Sequence, residues 1–298
     1  MGRKRTWDDA RYEKLRGLWT SGASADEMAD ALGSSRGAIY QRAKKLGLPA
    51  RNQRRGRPAG PRRVGKPDGA RVSLDPWHPA LAAGRTIHGR TVTPAARAKR
   101  LLKSGKWSSK IGDVAMKGKW KGFPLLTLTL EERATCPRTC LEWDTCYGNN
   151  LGHTTIERIF DDGFLELILH AEIARKAAQH PDGFAVRLHV LGDFYSVRYV
   201  EFWREMMREF DALHVFGFTA RQPGDDIGRA VLEMMEEFDD RAMMRVSGAA
   251  FPQLCSEVVD SIDQARFIVC PAQRKADHDC ARCGLCWTSD HSISFLRH

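Results

Sequence analysis

Seven of the eight cysteines stand in two tight groups, and thiols at that spacing are the chain's clearest chemistry. Cys136, Cys140 and Cys146 lie within eleven residues, in TCPRTCLEWDTCYGNN (135–150), directly after the strand-like run PLLTLTL (124–130). Cys270, Cys280, Cys283 and Cys286 lie within seventeen, in CPAQRKADHDCARCGLCW. Thiolates are soft ligands suited to iron–sulfur clusters and zinc, and three of them on one loop can hold three irons of a 4Fe–4S cubane while the fourth iron stays open. The C-terminal four could close a tetrahedral zinc site or bind a second cluster. The spacing leaves open whether there are two metal sites or one, in which Cys270 or one of the terminal three completes the first group. His278 reads as a solvated loop histidine, because four thiolates already complete a tetrahedral site. The isolated Cys255 reads as a small buried apolar side chain.

Grouping of this kind indicates metal ligation where thiols are kept reduced. The chain shows no charged-start, apolar-middle leader and no apolar run long enough to span a bilayer. A cytoplasmic protein with no membrane partner is therefore expected. At 298 residues, 42% of them hydrophobic, there is room for two domains and a sizeable core. The net charge of +10 is unevenly placed. Residues 1–66 hold 17 Lys and Arg against 6 Asp and Glu, a net of +11, whereas residues 67–298 hold 30 against 31. A positive field confined to one end suits a polyanion such as nucleic acid, and implies nothing similar for the remainder.

The elements behind that field are helical. In TWDDARYEKLRGLWTSG, Tyr12, Leu15, Leu18 and Trp19 fall at helical spacing, with Gly22 as a stop. SADEMADALG opens with Ser24 and carries Glu27 three residues on, a capping box, with Met28, Ala29 and Leu32 on one face and Gly33 past the end. After GSS, a third helix over 36–46 buries Ile39, Ala43 and Leu46 and leaves Arg36, Tyr40, Gln41 and Lys44 to reach a groove. Two short helices around a tight Gly-containing turn make a helix-turn-helix, whose second helix reads the major groove of double-stranded DNA. A trihelical interaction module with a solvated basic face is the alternative. Residues 49–70, PARNQRRGRPAGPRRVGKPDGA, have too few apolar side chains for a core and form a basic linker. Up to Leu48, the skeleton W…LW…G.SA…A..LG…I..R…LGL resembles the DNA-binding end of the GcrA cell-cycle regulators. The linker's RGRP resembles an AT-hook core, which would place Arg55 and Arg57 in a narrow A·T-rich minor groove.

From about residue 124 strands and helices alternate: PLLTLTL, a helix around 156–180, FAVRLHVLGDF, a helix over 197–210, LHVFGFT, a helix near 226–238, AMMRVS and RFIVC. Such alternation implies an α/β fold with a largely parallel sheet, open or closed into a partial barrel, and chemistry at the C-terminal ends of the strands. The first cysteine loop lies at one of those ends. His189 and Asp193, in HVLGDF, and Arg221, after LHVFGFT, are candidates to line the same mouth, as are Arg187 and Arg245. Asp193 could equally cap the following helix, although Ser196 is the better cap.

The order of strand, three-cysteine loop, helix and strand with a Gly-acid turn resembles the radical SAM enzymes. Here Cys136-x3-Cys140-x5-Cys146 and Gly192-Asp193 stand where that family has x3 then x2 and Gly-Gly-Glu. A closer resemblance, over 124–287, is to the phage and mobile-element proteins of the gene product eighty-eight type, through CPRTC…W..CYGN, RLHVLGDFYSVRYVEFW, LHVFGFTAR and C..CGLCW. These resemblances imply a radical-SAM-like partial β/α barrel carrying an iron–sulfur cluster, with a cysteine-rich metal motif at its C-terminal end. The expected organisation is thus a small all-α helix-turn-helix domain at 1–48, the linker at 49–70 and a β/α iron–sulfur domain at 71–298. Two functions fit it. One is a transcription regulator whose cluster domain senses redox state or docks a partner such as RNA polymerase or another regulator. The other is a radical-SAM-like enzyme delivered to nucleic acid by its N-terminal domain. The altered cysteine spacing favours the regulator.

Overall fold

The computed structural model describes residues 7–48, 72–108, 110–152, 156–248, 254–274 and 278–297. Arg55 and Arg57 lie outside the described residues. The chain separates into two compact units, Met1–Val64 and Gly65–His298.

In the first unit α1 (Asp9–Thr20), α2 (Ala25–Ala31) and α3 (Arg36–Lys45) enclose a small core of Leu15, Trp19, Met28, Ala29, Leu32, Ile39 and Ala43. A side chain fixes each helix start by satisfying an orphan N–H: Asp8 accepts from Arg11 N, Ser24 from Glu27 N and Ser35 from Ala38 N. The capping box is complete, since Ser24 N also donates to Glu27 Oε2 at 2.6 Å. Gly33, at φ 52°, makes the turn that leads into α3, a backbone conformation costly for any residue with a Cβ.

The second unit is α/β. In chain order it contains α4 (Pro79–Ala83), β1 (Val92–Pro94), β2 (Lys103–Ser104), β3 (Leu125–Thr127), β4 (Arg158–Phe160), α5 (Leu165–Gln179), β5 (Phe184–Leu188), α6 (Val197–Glu209), β6 (Leu213–Thr219) and α7 (Asp226–Glu237). There follow β7 (Ala242–Ser247), β8 (Cys255–Val259), β9 (Ile268–Val269), α8 (Pro271–Arg274), α9 (Cys280–Cys283), α10 (Leu285–Thr288) and β10 (Ile293–Leu296). One sheet runs in the order β2-β3-β5-β6-β7-β8-β10-β9, parallel except for the antiparallel edge strand β2. Among the described residues it is an open mixed sheet with edges at β2 and β9, and β1 pairs only with β4. No helix among the described residues is long and apolar enough to cross a membrane.

The central strands obey the two-residue period of a pleated sheet. Phe184, Val186 and Leu188 of β5, Leu213 and Val215 of β6, and Ala242 and Met244 of β7 join the core under α5, α6 and α7. The alternate positions point to the other face, where Ala185 and Phe216 pack with Ile111, Trp120, Ala281 and Trp287. Arg187, Phe218 and Ser247 belong to that second face and line a cavity. Helices thus cover one side, and the cysteine-bearing segments meet the other.

Two expectations are corrected. The helix expected around 156–180 is partly strand, because β4 occupies Arg158–Phe160 and α5 begins only at Leu165. Pairing with β1 and a buried ion pair at Arg158 override the local apolar spacing there. RFIVC contributes only the two residues of β9, while β8 and β10 complete this end of the sheet without any alternation that marks them in the sequence. β10 lies between β8 and β9, so long-range pairing creates that end of the sheet.

The approach of β5 and β6 depends on one glycine. A Cβ on Gly217 would stand 1.4 Å from the Leu188 carbonyl oxygen, a backbone atom that cannot rotate away. Gly217→Ala is expected to destabilise the fold by at least ~1–3 kcal/mol, as overpacking does. An unchanged urea midpoint would contradict this packing.

Candidate functional sites

On the first unit, α3 buries Ile39 and Ala43 and turns Arg36, Tyr40, Gln41 and Lys44 outward. Offsets of four, five and eight residues from Arg36 place these four side chains on one face. Tyr40 is anchored edge-on against Trp19, with ring centroids 5.8 Å apart, so its hydroxyl end is held at the surface. Arg36 is paired with Asp26 of α2. Both partners are exposed, and an exposed pair of this kind is worth only ~0–1 kcal/mol, little hindrance to exchanging Asp26 for a phosphate.

On the second unit, the trio of cysteines sits in a loop tied down by buried charge. Glu131, Glu132 and Arg133 follow β3 and are almost fully buried. Arg158 Nε donates to Glu132 at 2.6 Å, and its other nitrogens donate to Thr91 Oγ1, Leu151 O and Gly148 O. Arg133 Nε donates to Trp143 O and Nη2 to Asn149 Oδ1. Asn149 in turn donates to Val72 O and Asp144 O. Short turns carry the chain between sulfurs, with Cys140 N donating to Pro137 O and Asn149 N to Cys146 O. Gly148 has no room for a Cβ, since Glu132 Oε1 lies 2.6 Å from where it would be. The cysteine loop is therefore wrapped around a Glu132–Arg158 pair that no cysteine pattern would reveal.

Cys136, Cys140 and Cys146 line one cavity of about 270 Å³ at the C-terminal ends of the strands. His189 and Asp193 line it too, as do Lys110, Arg187 and Phe218. Burial pushes all three thiols up, Cys140 to about 11, and the charges of Asp193 and of the other two sulfurs add to this at Cys136. Such sulfurs are protonated near neutral pH and become thiolates only when a metal replaces their protons. Burial also pushes Asp193 up to about 6, against hydrogen bonds from Thr219 Oγ1 and the amides of Ala220 and Phe194. Asp193 thus braces the end of β6, while Ser196 caps α6 by accepting from Tyr199 N. Burial pushes His189 down to about 3, leaving a neutral ring whose Nε2 meets Tyr199 Oη at 3.2 Å. Its Nδ1 has no hydrogen-bond partner among the described residues. Arg221 is not among the cavity-lining residues; its guanidinium donates to Phe194 O and Thr135 O, fastening the base of the cysteine loop to the segment between β5 and α6.

The C-terminal cysteines form a second group, with Cys270, Cys280, Cys283 and Cys286 sharing a separate small cleft. Among the described residues no group of three or more His, Cys, Asp or Glu side chains is arranged around a single-ion position. The donor chemistry of the cavity fits a soft metal group, with three sulfurs and a neutral histidine along its lining. Cys255, read as a core residue, is fully buried at the start of β8.

The chain matches the family model of the GcrA cell cycle regulator over residues 5–112 and that of Gene product 88 over residues 97–223. The first extends well beyond Leu48. The second covers the trio, His189 and Asp193 but stops short of Cys270. No curated protein and no solved structure matches the chain significantly.

Proposed function

We propose that this protein is a DNA-binding regulator of transcription whose larger unit carries an iron–sulfur cluster on Cys136, Cys140 and Cys146. The observation that carries the reading is the exposed face of α3, where Arg36, Tyr40, Gln41 and Lys44 stand together on a capped three-helix unit within the GcrA match. Residues 1–66 add a net charge of +11, from 17 basic and 6 acidic side chains, to attract phosphates. Arg55 and Arg57 would extend the contact into an A·T-rich minor groove. Bound in the cavity, a cluster would supply one-electron chemistry, and the radical-SAM-like likeness belongs to this reading. The unit's own residues hold the loop in place through Glu132 and Arg158, set the three sulfurs around one cavity and present a surface to the transcription machinery.

The experiment is a titration of duplex DNA at several salt concentrations, with the whole chain and with residues 1–66. Affinity should fall steeply with salt, as counterion release requires. Gln41→Ala or Arg36→Ala should relax sequence preference, at ~1–3 kcal/mol for a lost base contact. Arg57→Ala should mainly weaken sites flanked by A·T pairs. Salt-independent binding, or none, would dispose of the regulator.

The second reading, an enzyme of the radical SAM kind, draws on the cavity that gathers three sulfurs, Asp193 and His189 at the strand ends. It requires cleavage of S-adenosylmethionine to 5′-deoxyadenosine by the reduced protein, lost in Cys146→Ala. The longer Cys140–Cys146 spacing and the Gly192-Asp193 turn favour no cleavage.

A further inference from the structure

The charge balance of the larger unit conceals a segregation. Residues 85–121 hold 11 Lys and Arg against Asp113 alone, a net of +10, while the rest of 67–298 holds 19 against 30. Three of the eleven are occupied: Arg85 pairs with Glu131, Lys103 pairs with Glu157 at 2.8 Å, and Lys110 lines the trio's cavity. The other eight are exposed and form no ion pair among the described residues.

The fold sets part of this stretch along the β2 edge of the sheet. After β2 a tight turn, Gly105–Trp107, leaves Lys106 and Trp107 outside, with the indole 81% exposed and the Lys106 ammonium over its ring at 5.3 Å. Only glycine fits at the start of that turn, since a Cβ on Gly105 would stand 2.2 Å from Gly112 O. Residues 114–124 then fold back as a hairpin: Val114 bridges Pro124, Ala115 N donates to Phe123 O, and Lys121 N donates to Gly118 O across the tip. Trp120 is its anchor. It is 1% exposed, stacks on Trp287 with centroids 6.0 Å apart and donates to Asp240 O, while Trp287 Nε1 donates to Lys117 O at 3.1 Å. A backbone pinned in this way leaves Lys117, Lys119 and Lys121 in solvent. Asp239 and Asp290 share a cleft with Lys119 and pair with none of the three.

Like charges gathered on a fixed backbone repel one another, and a polyanion relieves that repulsion. An exposed indole is ordinary by itself, but one set among lysines on the same edge offers a stacking face beside phosphate-binding charge. That combination selects among polyanions. A closed duplex has no open base face for the indole, and the carboxylates of an acidic peptide bring no ring, whereas a single strand has both phosphates and open bases. We infer that the β2 edge of the larger unit binds single-stranded nucleic acid, with Lys106, Lys117, Lys119 and Lys121 on phosphates and Trp107 stacked on a base. The surface shares no residue with α3 or with the trio of cysteines, so it stands or falls apart from both.

The test follows the fluorescence anisotropy of a labelled oligothymidylate titrated with the whole chain at several salt concentrations, with a duplex of the same length as control. Lys117→Gln/Lys119→Gln/Lys121→Gln should lower the slope of log affinity against log salt by ~2 for the single strand, at ~0.7 per phosphate contact, and leave the slope for the duplex unchanged. Trp107→Ala should weaken single-strand binding ~5–100-fold, and Trp107→Phe should restore most of it. The substituted side chains are exposed, so every variant should melt with the parent. A parent chain that ignores the single strand overturns the inference, as does a triple variant with the parent's slope or one that loses duplex and single strand in equal measure. So does a Trp107→Ala chain that holds the strand as tightly as the parent, or equal competition by an oligoglutamate of matched charge.

Discussion

Purified without oxygen, the chain is expected to be brown, and Cys140→Ala to remove about four irons and four sulfides per molecule. The size of the effect follows from the geometry. Three thiols share one cavity, and losing any of them leaves two, too few to retain a cubane against exchange. All three are pushed up by burial, so none is a standing thiolate; they are ligands that a metal must deprotonate, and they are poor nucleophiles without it. The control is the other unit. DNA binding should survive Cys140→Ala, because α1, α2 and α3 have their own core and their own caps. A colourless protein containing zinc alone would remove the cluster and leave a structural metalloprotein.

The second large effect concerns stability. Arg158→Met is expected to cost ~3–5 kcal/mol, the usual consequence of removing one partner of a buried ion pair. Arg158 and Glu132 have side-chain exposures of 0% and 1%, so the orphaned carboxylate would have no access to water. Gly148 O and Leu151 O would also lose a donor, which loosens the stretch next to Cys146. For a domain of this size, thermal unfolding should shift down by roughly 10 °C. Glu132→Leu combined with Arg158→Met should cost clearly less than the single change, because no charge is then stranded. A loss below ~1 kcal/mol for Arg158→Met would mean that the pair is not dry. A stability loss accompanied by loss of iron would tie this pair to the architecture of the cysteine loop.

Local signals in the sequence were enough for the N-terminal unit, and the reason is physical. Helix starts are decided within four residues, by a side-chain oxygen and the amides it can reach, so Ser24 with Glu27 fixed α2 before any tertiary contact was considered. The spacing of Ile39 and Ala43 likewise fixed which side of α3 faces out. α6, α7, β6 and β7 fall where periodicity placed them, because each is long enough to show its period.

What remained hidden depends on partners distant in the chain. β4 is a strand because β1, more than sixty residues earlier, supplies its ladder, as the register Val92↔Arg158 shows. Arg187, Arg245 and Arg158 look alike in the sequence. Only the fold assigns one to a cavity wall, one to the carbonyls of the last cysteine segment and one to Glu132. The cysteine spacings determined by themselves that this chain carries two groups of neighbouring thiols, since covalent distance along the chain limits how far such sulfurs can separate. That the two groups occupy different cavities was decided by tertiary structure alone, because the order of strands in a sheet is a property of what packs together.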